Sequence, residues 1–84
     1  MAKRERLEII KDILKIINDN RAMKITPLIR RSNLSTSRFK EYFGDLLRKG
    51  FVVEKNKTIK ITEKGSRFLE KYQTILHFID EFDL

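Results

Sequence analysis

Between Ser35 and Thr62 the chain marks its own element boundaries, and those marks constrain the fold more than any other feature of its 84 residues. Ser35 is a residue whose side-chain oxygen can accept from the free amides of a helix's first turn. Over about 36–49, Phe39, Tyr42, Phe43, Leu46 and Leu47 fall on one helical face. Gly50 stands just past the last turn, where a left-handed C-cap wants glycine, and Arg48 and Lys49 suit the negative end of the helix dipole. Two short β-branched runs follow at once, Phe51-Val52-Val53-Glu54 and Thr58-Ile59-Lys60-Ile61. They flank Lys55-Asn56-Lys57, a hairpin in which Asn takes the positive-φ position. Thr62 then caps a last helix that starts at Glu63 and runs nearly to the end.

Upstream the pattern is helical again. Over residues 3–19, Leu7, Ile10, Leu14 and Ile17 recur at spacings of three and four. Ile9, Ile13 and Ile16 read as a second stripe on nearly the opposite face, which asks for cover beyond the main core. Asn18-Asp19-Asn20 ends this helix, and Met23-Lys24-Ile25 reads as a short strand. Thr26-Pro27 reads as an N-cap with proline at the first helical position, opening a two-turn helix that buries Leu28 and Ile29. Ser32-Asn33-Leu34 is the turn before Ser35.

The order is therefore helix, short strand, helix, turn, helix, hairpin, helix: mostly α with a small β-hairpin, an α+β class. Two helices joined by a tight turn, with a basic hairpin directly after the second, make a winged helix-turn-helix layout. We expect a winged DNA-binding domain over residues 1–66. Residues 67–84 continue the C-terminal helix as a coiled-coil-like dimerisation segment, within one compact domain overall.

The charge agrees with a polyanion partner. Nineteen Lys+Arg against twelve Asp+Glu give a net +7, unevenly placed. Residues 1–19 carry five basic and four acidic side chains, residues 20–67 thirteen and four, and residues 68–84 one and four: +1, +9 and −3. A charge-rich solvated surface explains the number of charges but not their one-sided sign. Clustered Lys and Arg gain from releasing the counterions condensed on a nucleic acid.

If Phe39, Phe43 and Leu46 face inward, the opposite face of their helix shows Ser37, Glu41, Gly44 and Arg48, with Arg38 and Lys40 beside it. This mixture suits a major groove: Ser for base or phosphate, Arg for guanine, Glu accepting from cytosine. Gly44 is read either as room for close approach to DNA or as a tolerated surface glycine, at a cost of about 1 kcal/mol relative to Ala. The wing, about 54–60, carries Lys55, Lys57 and Lys60 with Asn56 at its tip. Such lysines reach backbone phosphates, or simply discourage strand pairing at a hairpin edge. Arg30 and Arg31 close the second helix, where they either touch phosphate or are solvated.

The last helix holds the most regular pattern. Phe68, Tyr72, Ile75, Ile79 and Phe82 step by 4, 3, 4 and 3, a heptad seam widened by Leu69, Leu76 and Phe78. A helix of about 20 residues is roughly 30 Å long, more than so small a domain covers. Phe68, Leu69 and Tyr72 are expected to pack on the second stripe of the first helix. The overhang, with Leu76, would pair with a second copy, helped by the first helix.

Chemistry beyond binding has little to build on. There is no Cys and one His, His77, so a nucleophile–base pair or metal cluster is hard to assemble, and no catalytic residue, metal or cofactor is expected. No apolar run approaches a membrane span, and MAKRERLEIIKD lacks the apolar stretch of a secretory signal. The expected location is the cytoplasm, associated with the nucleoid.

The stretch NLSTSRFKEYFGDLLRKGFV, followed by KITEKGSRFLEKY, resembles archaeal winged-helix regulators, and among them the dimeric ten-kilodalton Sulfolobus chromatin-protein group. Its most specific parts are Phe39-Lys40-x-Tyr42, the Leu46 to Gly50 helix end and Thr62-Glu63-Lys64-Gly65. The resemblance implies a homodimer held by antiparallel C-terminal helices, with two winged domains on DNA.

The resulting expectation is double-stranded DNA binding by a homodimeric regulator or chromatin-associated protein. Its alternative is a winged-helix protein–protein module of a transcription complex with little DNA affinity of its own. Single-stranded or RNA binding ranks lower, because the aromatics fall mostly on core-facing positions.

Overall fold

The computed structural model describes residues 2–83, with side chains described for 6–83. The elements are α1 (Ala2–Asn20), β1 (Ala22–Met23), α2 (Ile25–Ser32), α3 (Thr36–Arg48), β2 (Val52–Lys55), β3 (Thr58–Ile61) and α4 (Glu63–Glu81). The strands form one antiparallel sheet in the order β1-β3-β2. The class is thus the expected α+β winged helix, with the C-terminal helix present.

Local chemistry sets the boundaries as expected from Ser35 onward. The Ser35 side chain accepts from the Arg38 amide, and that of Thr62 accepts from the Gly65 amide. Gly50 sits at φ 75°, the left-handed conformation that reverses the chain after α3. The hairpin differs in two respects, the first being that β2 begins at Val52 and leaves Phe51 outside the strand. The second is that Lys55 belongs to β2, opposite Thr58, so the loop is the two residues Asn56 and Lys57. Both have positive φ, 53° and 64°, as the twist of a two-residue hairpin demands, so Lys57 shares the conformation assigned to Asn56 alone.

The region before Ser35 departs further. The short strand is Ala22–Met23, paired with Lys60 and Ile59 of β3, and Ile25 is already helical. Lys24, not Thr26, is the N-cap, and it makes no side-chain cap bond. Pro27 therefore stands third in α2, still within the first turn, where its missing N–H costs nothing. Asn33 ends α2 at φ 60°, its amide donating to Arg30 O.

The core gathers Ile10, Ile13, Leu14 and Ile17 of α1, Leu28 of α2, Phe39, Phe43 and Leu46 of α3, the sheet residues Met23, Val52 and Ile59, and Leu69 of α4. Each side chain buried this fully is worth about 1.5–3 kcal/mol. Phe39 and Phe43 stack at 5.4 Å between centroids. The two stripes expected on α1 are not opposite. Ile13 lies with Ile10, Leu14 and Ile17 in the core, Ile9 and Ile16 border it half-buried, and Leu7 is exposed. At about 100° per residue, Ile13 is only some 60° from Ile10, so both rows merge into one broad face. On α3, Leu47 is likewise exposed and Tyr42 half-buried.

Helix α4 is two different objects along its length. Its first half packs on α1 and the sheet. Gly65 and Leu69 are buried there, and Phe68 stacks between Phe51 and Tyr72 at 5.1 and 6.1 Å. Leu69 enters the core, Phe68 packs against it and Tyr72 is half-buried. Beyond Tyr72 the side chains run out of domain: Ile75 is 57% and Phe82 58% exposed, with Leu76 and Phe78 also exposed.

Candidate nucleic-acid interface

The outward face of α3 is built as the periodicity requires. With Phe39, Phe43 and Leu46 buried, Ser37, Arg38, Lys40, Glu41 and Arg48 are all exposed. Gly44 lies half-buried between them, and a methyl group there would meet only the Arg48 guanidinium, at 3.4 Å. Arg48 folds back along its own helix to the Asp45 carboxylate.

The wing is fixed to the end of this helix by a short run of hydrogen bonds. The Phe51 amide donates to Leu46 O at 2.9 Å and the Thr62 amide to Phe51 O at 3.0 Å. The Thr62 hydroxyl donates to Gly50 O at 2.6 Å. Lys64 donates to Lys49 O at 2.8 Å, supplying a cation at the helix's negative end, and lies 5.5 Å from the Phe51 ring centroid. Hairpin, α3 and α4 thus meet at one rigid joint.

Lys55, Asn56, Lys57 and Lys60 are all exposed. Lys55, Asn56 and Lys57 cluster at the tip, where the Thr58 hydroxyl closes the turn onto Lys55 O at 2.8 Å. Lys60 lies back from the tip on the central strand, opposite Val53 on one side and Ala22 on the other.

Arg30 and Arg31 part company. Both are exposed, but Arg31 donates to Asn20 Oδ1 at 2.8 Å, tying the end of α2 to the end of α1.

Two further residues, Arg6 and Asp45, belong to this surface. Asp45 receives both Arg48 and Arg6 from α1. The Arg6 guanidinium also lies 5.5 Å from the Tyr42 ring centroid, and that of Arg38 lies 6.0 Å from the same ring. The Asp45–Arg48 pair was readable as an i, i+3 spacing. Arg6 is 39 residues from Asp45, and nothing local announces it.

On α4, Phe68, Tyr72 and Ile79 are half-buried, while Ile75, Leu76 and Phe82 are exposed. His77 is exposed and lies 3.8 Å from Glu81 on its own helix. Among the described residues no three His, Cys, Asp or Glu side chains gather as a metal site. No described helix is long and apolar enough to cross a membrane.

The family comparisons agree with this architecture. The model of the winged helix-turn-helix family matches residues 3–80. The uncharacterized protein MJ0290 of the archaeon Methanocaldococcus jannaschii is 32% identical over 77 residues, which cover 92% of this chain and 36% of that protein. The chain therefore spans about a third of the length of the curated relative it matches. No solved structure matches. A match from end to end of the helix–hairpin–helix frame, on a fold that generally binds DNA and is typically not enzymatic, leaves one assignment: the chain belongs to the winged helix-turn-helix family.

Proposed function

We propose that this chain binds double-stranded DNA as a homodimer, acting as a transcriptional regulator or chromatin-associated protein of the nucleoid. The observation that carries the reading is the joint between α3 and the wing. It holds an exposed polar helix face and a lysine-tipped hairpin on consecutive elements, within a stretch of net charge +9. Ser37, Arg38, Lys40, Glu41 and Arg48 then enter or line the major groove. Lys55, Asn56, Lys57 and Lys60 hold the backbone, with Arg30 and Arg31 at the edge of the contact.

In this reading residues 1–66 are the DNA-binding domain, and residues 67–84 carry the helix into the dimer. Ile75, Leu76 and Phe82 are its exposed contacts, continued by Phe68, Tyr72 and Ile79. The resemblance to the ten-kilodalton Sulfolobus chromatin proteins favours the same arrangement. The exposed α4 strip also favours a second reading, a protein–protein module with little DNA affinity.

Fluorescence anisotropy with a random-sequence duplex of ~30 base pairs, titrated across salt, separates the two. Micromolar binding with a steep salt slope is expected. Lys57→Ala should weaken binding about equally on all sequences and lower the slope by roughly one. Absence of binding at low salt would sink the DNA reading in favour of a protein partner.

A further inference from the structure

We propose that Arg6, on the first helix, is a further contact to the DNA backbone, and that Asp45, its partner in the free protein, competes with phosphate for it. The inference rests on the double-stranded DNA reading above. Its basis is the meeting of Arg6, Arg38, Tyr42, Asp45 and Arg48 on one flank of α3.

The flank is the right one. Taking Phe39 as zero and about 100° per residue, the outward direction of α3 runs through Arg48 near 180°, with Asp45, Arg38 and Tyr42 at about 240°, 260° and 300°. Arg6 therefore arrives beside the outward face and not behind it.

Among the described residues, Arg6 and Arg48 share the Asp45 carboxylate, two positive charges on one negative, and Arg38 lies beside the same Tyr42 ring as Arg6. A guanidinium packed on an aromatic ring has its fork pre-oriented, which suits the paired oxygens of a phosphate.

Structural tethering alone accounts poorly for Arg6. Its side chain is 45% exposed against 19% for Asp45, and an ion pair with one partner this open to water adds only modestly to stability. The same openness leaves the guanidinium within reach of a solvent-side anion. On DNA, a phosphate would take the Arg6 guanidinium in place of the Asp45 carboxylate.

The test uses the full chain and the same duplex, with Arg6→Gln, Arg6→Lys, Asp45→Asn and, as a reference, Lys57→Ala. Arg6→Gln should weaken binding several-fold and lower the salt slope by about 0.9, the loss of one phosphate contact. Arg6→Lys should keep the slope, because the charge remains. Asp45→Asn should tighten binding, since it removes the competitor. A purely structural Arg6 predicts otherwise: Arg6→Gln would lower the thermal midpoint, keep the wild-type slope, and be matched in direction by Asp45→Asn. That result overturns the inference. If Lys57→Ala lowers the slope and Arg6→Gln does not, the DNA reading stands and only this inference falls. If the wild-type chain does not bind at low salt, the DNA reading fails and takes this inference with it.

Discussion

The two halves of α4 carry similar side chains and meet opposite fates. Over Gly65 to Tyr72 the helix packs on α1 and the sheet, with Leu69 buried and Phe68 stacked between two other rings. From Ile75 to Phe82 equally large apolar residues stand in water, except for the half-buried Ile79. The heptad spacing is continuous across both halves, so periodicity does not distinguish them. What distinguishes them is the reach of the domain. The molecule measures 43 × 25 × 21 Å, and in the far half Ile75, Leu76, Phe78 and Phe82 are left exposed. An apolar stripe on a helix states what must be covered; the length of the neighbouring layer decides how much of it is.

That contrast can be broken at the covered end first. Phe39→Ala empties the centre of the core that supports α4, where Phe39 is fully buried against Phe43. It should cost about 3–5 kcal/mol in denaturant unfolding. Gly65→Ala strikes the packed half of α4 directly, since a Cβ there would come within 2.2 Å of the Phe51 carbonyl oxygen, a backbone atom with little freedom to retreat. Forcing the helix off the hairpin should cost about 1–3 kcal/mol. If both halves were equally loose, this variant would melt like the wild type.

Ser35→Ala removes only the cap of α3 and should cost about 1 kcal/mol, without changing the exposure of α4. The far half gives the smallest stability effect and the most telling readout. The double variant Ile75→Ser, Phe82→Ser should change the dilute-solution melt by no more than about 0.5 kcal/mol. In sedimentation equilibrium it should read as a monomer where the unaltered chain reads as a dimer. An unaltered chain that sediments as a monomer at high concentration would remove the homodimer from the proposal.

Legibility followed the range of the interaction. Ser35, Gly50 and Thr62 act on neighbours within a few residues, and the helices they bound begin and end where those residues sit. The start of α2 was misplaced because Thr26-Pro27 is a strong local signal that a tertiary pairing overrode. Once Ala22–Met23 adds to β3, the chain enters the helix at Ile25. The broad face of α1 reads as two stripes only while spacings are listed without their angles, since Ile13 lies some 60° from Ile10. In the candidate interface, the helix face and the lysine-tipped turn were readable from angle and charge. Arg6 was not, because nothing in its surroundings in the chain refers to Asp45.

Taken alone, the sequence determined the order of the elements, the class of the fold and the one-sided charge. Each follows from capping, periodicity or counting, which need no knowledge of distant contacts. The tertiary structure decided how much of the broad face of α1 is buried, where α4 becomes exposed, and that Asp45 gathers arginines from two helices. Those outcomes depend on side chains far apart in the chain competing for the same space and charge, and that competition exists only once the chain has folded.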